Sequence, residues 1–308
     1  MLKYITKRIL TSIVTIWAVI TISFFLIKIM PGGPFNSDKM TPEIRANLEA
    51  KYGLDKPLAE QYTMYLSNLL KGDLGESMQF KGRQVKDTIK NSFPNSAKVG
   101  SVAIVVSLIG GVLLGVLAAL KSGKWQDRVV MLIATLGITV PSFVISAGLI
   151  YIFTSKLKLL QPLGISRPEN YIMPVIALSL SSVAFITRLT RNKMIDVMKS
   201  DYIRTAKAKG LSKKTVVFKH ALRNSLIPFI TYVGPLIASV LTGSFVVERI
   251  FAIPGLGNEF ISTITARDYS AALGVIVFYG TLIIVFNLLV DLMYVVVDPR
   301  IKLDNIEG

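Results

Sequence analysis

Long apolar runs alternate along this chain with short polar, mostly basic connections. The runs span Ile9–Met30, Val99–Leu120, Val129–Thr154, Tyr171–Thr187, Leu226–Val247 and Leu273–Val297. Each is near the ~20 residues that a helix needs to cross the hydrocarbon of a bilayer. The pattern predicts an all-α polytopic membrane protein with six transmembrane helices. The fourth run is the shortest and carries Ser179, Ser181 and Ser182. The first follows Lys3, Lys7 and Arg8, as a signal peptide would, but it is longer than a usual signal core and has no obvious small-x-small cleavage site. A retained helix is therefore expected, with Lys28 snorkelling to the interface. Pro141 lies inside the third run, where a proline frees a backbone carbonyl and kinks a helix.

The polar stretches differ in kind. Residues 31–98 form one long connection with its own helix signals, and residues 99–308 hold the other five runs. Thr41-Pro42-Glu43 reads as a helix start, with a capping hydroxyl, proline at the first helical position and an acid near the positive end. Gly53 is placed to end that helix. Pro57 opens a second, in which Leu58, Tyr62, Tyr65, Leu66 and Leu69 recur at helical spacing before Gly72. Two roles are open: an amphipathic cap on the outer membrane face, or a docking surface for an external partner.

Charge settles the topology. The 308-residue chain carries a formal +16, which on its own would also suit nucleic acid. The basic residues are sorted by loop, however, which fits membrane topology and anionic lipid instead. Lys3, Lys7 and Arg8, then Lys121, Lys124 and Arg128, then the segment 188–225, then Arg300 and Lys302 fall on one side if both termini are cytoplasmic. From Arg188 to Arg223 there are 11 Lys/Arg against Asp196 and Asp201. A Lys or Arg at the bilayer centre costs roughly 2.5–3.5 kcal/mol, so this segment is expected outside the membrane. The chain has no cysteine and one histidine, His220, which excludes disulfides, thiol nucleophiles and a histidine-rich metal site.

No phosphate loop of the G-x-x-x-x-G-K-[ST] type occurs, so no ATPase activity is expected of this chain. HExxH, GxSxG and EF-hand patterns are absent too. Asp291 is the one acid placed well inside a span and is read as structural, bonded to a neighbouring helix or loop amides. A stand-alone ion-coupled carrier would need more such groups and an inverted repeat.

The segment Arg204-Thr205-Ala206-x-x-x-Gly210, followed by Ile227-Pro228, resembles the "EAA" loop of permease subunits of binding-protein-dependent ABC importers. Further motifs place the resemblance with the B-type subunit of oligopeptide/dipeptide permeases. They are Met30-Pro31-Gly32-Gly33-Pro34-Phe35, Tyr52-Gly53-Leu54-Asp55-Lys56-Pro57-Leu58, Gly72-Asp73-Leu74-Gly75-Glu76-Ser77 and Pro141-Ser142-Phe143. Thr242-Gly243-Ser244-Phe245-Val246-Val247-Glu248, Ile253-Pro254-Gly255-Leu256-Gly257 and Asp298-Pro299-Arg300 complete the series. Two departures stand out: the Glu-Ala-Ala of the loop's name reads Arg204-Thr205-Ala206, and Arg223 stands where the common pattern has proline.

The resemblance implies a type I ABC importer permease fold in a bacterial inner membrane. It implies a second, C-type permease, two ATPases that bind ATP and Mg, a substrate-binding lipoprotein, and no cofactor or nucleic acid on this chain. The implied substrate is an oligopeptide, with dipeptides, nickel complexes and short oligosaccharides as alternatives. Tyr202, Ile203, Arg204, Thr205, Ala206, Lys207, Lys209 and Gly210 would form a coupling helix seated in an ATPase groove. Tyr202, Ile203 and Ala206 would offer it an apolar face, and Arg204, Lys207 and Lys209 would meet acids or carbonyls. Thr139, Pro141, Ser142, Ser179 and Ser182 are candidates to line the pathway, although small hydroxyls also pack helices together. Glu248 and the Pro254–Gly257 turn are candidates for an outer gate, and glycines 234 and 243 for close packing.

Overall fold

The computed structural model describes residues 2–35, 40–161, 164–241 and 245–297. Gly243 and the Asp298-Pro299-Arg300 motif lie outside the described residues. Thirteen α-helices occur among the described residues. In order they are α1 Leu2–Ile29, α2 Pro42–Lys51, α3 Leu58–Leu70, α4 Val85–Leu120, α5 Trp125–Thr139, α6 Ser142–Leu149 and α7 Ile172–Met198. Then come α8 Asp201–Ala208, α9 Arg223–Ser225, α10 Ile227–Leu241, α11 Phe245–Ile250, α12 Leu256–Thr265 and α13 Tyr269–Val297.

Among the described residues, five stretches are long and apolar enough to cross a membrane: Ile5–Ile29, Val85–Leu120, Pro168–Met198, Tyr232–Ile250 and Tyr269–Leu292. The sixth is broken. α5 and the helix that follows it are bent by 110° at Val140-Pro141. The sequence predicts a kink there, and the structure shows a sharper break, a bend past a right angle. Proline disfavours the helical conformation of the residue before it, and Val140 is extended at φ −85°, ψ 123°. Pro141 then starts α6, its carbonyl accepting from Val144 N at 3.0 Å and Ile145 N at 3.2 Å.

Two boundaries differ from those the hydropathy predicts. α4 begins at Val85, inside the stretch assigned to the long connection. α7 runs on to Met198, so the first turns of the basic segment continue a span. Hydropathy marks where a helix meets lipid, and both helices keep their backbone bonds beyond it.

α4 and α7 form the centre of the bundle and run parallel. Small residues at every fourth position of α4, Ser107, Gly111 and Gly115, bring the two backbones together. The Ser107 hydroxyl donates to Ala103 O at 2.7 Å and reaches Ser179 O at 3.4 Å. A Cβ on Gly111 would stand 2.6 Å from Ile186 Cβ, and one on Gly115 would stand 2.6 Å from Thr190 Cβ and 2.8 Å from Thr187 O. α10 and α11 close the core around Val99, Ala103, Met173, Leu236, Val247 and Phe251. α1 packs along α13, where Phe24 and Ile27 bury against Tyr269, Ala272 and Leu273.

α2 and α3 form a cap over one end of the bundle. Thr41 Oγ1 accepts the Ile44 N–H of α2, as the sequence predicts. Tyr62 and Tyr65 of α3 lie against Phe24 of α1, with ring centroids 5.4 and 5.8 Å away. The opposite end carries the basic segment.

Candidate functional site

At the basic end, α8 is a two-turn helix whose inward stripe is buried. Ile203 and Ala206 pack on Val116 of α4, Met194 of α7, and Val216, Val217 and Ala221 of the following π-helical stretch Thr215–Leu222. The expectation that they offer an apolar face to a partner is therefore corrected: the chain uses that face itself, to hold α8 down. Tyr202 remains largely exposed, its hydroxyl accepting from Asn224 Nδ2 at 2.9 Å.

Gly210 closes α8. Its φ is +76°, and Gly210 N donates to Lys207 O at 3.0 Å while Leu211 N donates to Ala206 O at 3.3 Å. This 5→2 and 6→1 pair is a Schellman ending, which wants glycine at that position because a Cβ clashes there. Ser212 opens the next helix, its Oγ accepting from Thr215 N at 3.3 Å.

The outward side of α8 and its turn presents Arg204, Thr205, Lys207, Lys209, Lys213 and Lys214, all exposed. Asp201 stands 3.4 Å from Arg204 and is itself in solvent. Leu211 and Phe218 are exposed among these cations. A short, rigid, cationic element with apolar edges suits an acidic groove.

One ion pair braces this end, and sequence reasoning missed it. Arg191 of α7 meets Asp127 of α5 through two bonds, Nε–Oδ1 at 2.6 Å and Nη2–Oδ2 at 2.7 Å. Asp127 Oδ2 also accepts from Gly123 N at 2.9 Å, and the carboxylate is buried. The signal was a lone acid in a basic loop. Toward the C-terminal end of α13, Asp291 pairs with Arg8 of α1 at 3.0 Å, which supports its structural reading.

At the cap end, Glu248 is enclosed by the turn that follows it. Asn258 N donates to its Oε2 at 3.0 Å, and Ile253 N donates to its backbone carbonyl at 2.8 Å. The carboxylate thus sits at the N-terminus of α12, where free N–H groups and the helix dipole favour an anion. Gly255 and Gly257 permit this. A Cβ on Gly255 would overlap the Glu248 carboxylate and come within 2.6 Å of Ser96 Oγ, and one on Gly257 would meet Oε2 at 3.0 Å. α4 completes the cage: Leu256 N donates to Ser96 Oγ at 2.8 Å, and Asn95 Nδ2 donates to Pro254 O at 2.8 Å. Ser96 and Asn95 gave no signal in the sequence, being far from Glu248 along the chain.

A second buried acid ties the cap to α13. Asp268 accepts from the Ser77 hydroxyl, from Met78 N at 3.0 Å and from Ala271 N at 3.2 Å. The Glu76 carboxyl is held below the ordinary glutamate range, chiefly by the Gly82 N–H and then by Lys51.

The hydroxyls predicted for the pathway do not converge. Ser179 and Ser182 are buried within the bundle. Thr139 and Pro141 are exposed at the α5–α6 break and Ser142 half-buried, with Thr139 Oγ1 donating to Thr135 O at 3.0 Å. Beside them, Arg188 Nη2 donates to Thr135 Oγ1 at 3.0 Å. Of the two glycines predicted for close packing, Gly234 has Val290 where its Cβ would be.

Known proteins carry the same pattern. The family model described as "Binding-protein-dependent transport system inner membrane component" matches residues 111–303, and its N-terminal companion matches residues 1–105. The chain belongs to this family of permease components. Among its relatives is the dipeptide transport system permease protein DppB of Bacillus subtilis (strain 168), 45% identical over 304 residues, covering 98% of this chain and 99% of that one. The oligopeptide transport system permease protein OppB of Haemophilus influenzae is 44% identical over 305 residues, covering 98% and 100%. In fold, this permease component is similar to the MetNI methionine ABC transporter in inward-facing form, with a TM-score of 0.58 at 16% identity over 68% of this chain and 96% of that one. An amino acid ABC transporter crystallised with histidines gives a TM-score of 0.54 at 16% identity over 68% and 93%. Family and fold agree with the six-span type I permease expected from the sequence.

Proposed function

We propose that this chain is the membrane-spanning permease subunit of an ATP-driven, binding-protein-dependent peptide importer. It supplies half of the translocation pathway, and both termini face the cytoplasm. The observation that carries this reading is near-full-length likeness to permeases named for dipeptides and oligopeptides, at 45% and 44% identity. Those identities are nearly equal, so the substrate class is peptides, dipeptides and oligopeptides alike.

The partners are a second, C-type permease, two ATPases that bind ATP and Mg, and an external substrate-binding lipoprotein. α8 docks in an ATPase through Tyr202, Arg204, Thr205, Lys207 and Lys209, while Ile203, Ala206 and Gly210 hold its shape. ATPase closure then moves α8, and through its buried stripe the α4 and α7 ends, in an alternating-access cycle. The Pro254–Gly257 turn, locked on Glu248, acts as a rigid element beside the outer gate. The exposed α5–α6 break, with Thr139, Pro141 and Ser142, faces the pathway once the second permease is in place. Ser179 and Ser182 serve packing.

The test is a mild-detergent pull-down of the tagged chain from its native membrane. Recovery of a second permease and two ATPases is expected; recovery of the chain alone, under conditions that hold a known importer together, overturns the reading. Gly210→Asp adds a side chain and an acid at the Schellman turn and is expected to abolish peptide uptake in a protein that still inserts.

A further inference from the structure

A cavity of roughly 230 Å³ lies where the cap meets the ends of α1 and α13, apart from both sites above. Four charged side chains line it: Lys28, Lys51, Asp73 and Glu76. Two of them satisfy each other. Lys51 Nζ is 3.3 Å from Glu76 Oε2, and Glu76 Oε1 accepts the Gly82 N–H at 2.6 Å.

The other two are unmatched. Lys28 has no carboxylate partner among the described residues; its ammonium donates to Gln61 Oε1 at 2.5 Å and stands 5.5 Å from the Phe24 ring centroid. Asp73 has no cationic partner among the described residues, and its Oδ1 accepts the Gly75 N–H at 2.8 Å. The hydroxyl of Tyr65, in the same wall, is buried with no hydrogen-bond partner. Burial pushes its pKa up to about 12, so it is a neutral donor. A buried donor left unpaired is costly, as is a half-buried ammonium with no counter-charge, and the exposed Asp73 carboxylate lies in the same lining.

A single ligand answers all three. We propose that this cavity binds a small zwitterion of amino-acid to dipeptide size, its carboxylate held by Lys28 and the Tyr65 hydroxyl and its ammonium by Asp73. Such a ligand leaves the cavity electrically balanced. The space, about eight waters at ~30 Å³ each, accommodates it. Tyr65 and Leu54 supply apolar wall for its side chains. The importer reading bears only on where the ligand comes from; binding is a property of this chain.

The test is equilibrium dialysis of radiolabelled L-alanyl-L-alanine against the full chain in lipid nanodiscs, without binding protein. Saturable binding is expected, weakened about tenfold or more by Lys28→Gln and by Asp73→Asn, since each removes one charge-assisted contact. Lys86→Gln, an exposed charge at the same end, is expected to bind as the parent does. N-acetyl-dialanine and dialanine amide, each lacking one charge, are expected to compete poorly. Absence of saturable binding, or parental affinity in either Lys28→Gln or Asp73→Asn, overturns the proposal. Should Lys28→Gln fail to insert, the exposed Asp73→Asn and the two analogues decide it. A chain that binds dialanine but is pulled down alone refutes the importer reading, whereas one that recovers its partners and binds no dialanine refutes only the cavity.

Discussion

At the cap end, the buried carboxylates of Asp268 and Glu248 are closed over by backbone N–H groups and, at Asp268, by the hydroxyl of Ser77 from far along the chain. At the basic end, one buried carboxylate, Asp127, is closed over by Arg191, and beyond it Arg204, Lys207, Lys209, Lys213 and Lys214 stand in solvent. The first arrangement is complete within the chain. The second holds α8 with a few apolar contacts, and of the cations on its outward side Arg204 alone has an acid beside it among the described residues, the exposed Asp201. A surface with matched polar groups resists movement, because each group displaced goes unpaired. A surface held by a small apolar stripe moves as a lever and takes its counter-charges from elsewhere. The contrast gives one end a closed polar network and the other an open cationic face, which is where docking is proposed.

The contrast can be broken at several points. The largest effect is expected at Gly255→Leu, whose side chain displaces a buried acid from its cage: a loss of about 4 kcal/mol, or no folded protein. SDS-driven unfolding followed by the fluorescence of Trp17 and Trp125 measures it. Asp127→Ala leaves Arg191 half-buried without its partner and should cost about 3 kcal/mol by the same assay. Gly115→Leu forces α4 from α7 and should cost about 2 kcal/mol. Lys207→Ala should change stability by less than about 0.5 kcal/mol while weakening association with the ATPase, read by co-purification. The smallest effect concerns pH. The Glu76 carboxyl titrates below its ordinary range, so its bonds to Gly82 and Lys51 are fully present above that range. They are lost as pH falls through the lowered value. Hydrogen exchange at low pH, corrected for intrinsic rates, should show less protection at the Gly82 amide and none lost at the Gly210 turn, which uses no carboxylate.

Much of this was legible in the chain. The spans follow from apolar length, and the helix start at Thr41-Pro42 follows from local chemistry that tertiary contacts need not supply. Helix ends were less legible. Val85–Lys98 carries Lys86, Asp87, Lys90 and Lys98, so its hydropathy resembles a loop although its backbone continues α4. The apolar spacing of Ile203 and Ala206 was visible, but spacing names a face without saying what covers it. Glu248 and the glycines of its turn are neighbours in sequence, so their association could be guessed. Ser96 with the Glu248 turn, Asp268 with Ser77, and Asp127 with Arg191 meet only because distant segments of the chain do. The four-residue repeat of Ser107, Gly111 and Gly115 was a readable signal for the α4–α7 seam.

The central claim is that the outward face of α8 meets an ATPase while its inward stripe and the cap do not. The chain has no cysteine, so single cysteines can be introduced directly. Arg204→Cys, Lys207→Cys, Ile203→Cys and Lys51→Cys would each be crosslinked in native membranes with a short thiol-to-amine reagent and probed for attached ATPase. The account predicts adducts at positions 204 and 207 and none at 203 or 51. Adducts at 203 equal to those at 204, or none at 204 and 207 in membranes that contain the assembled complex, would contradict it.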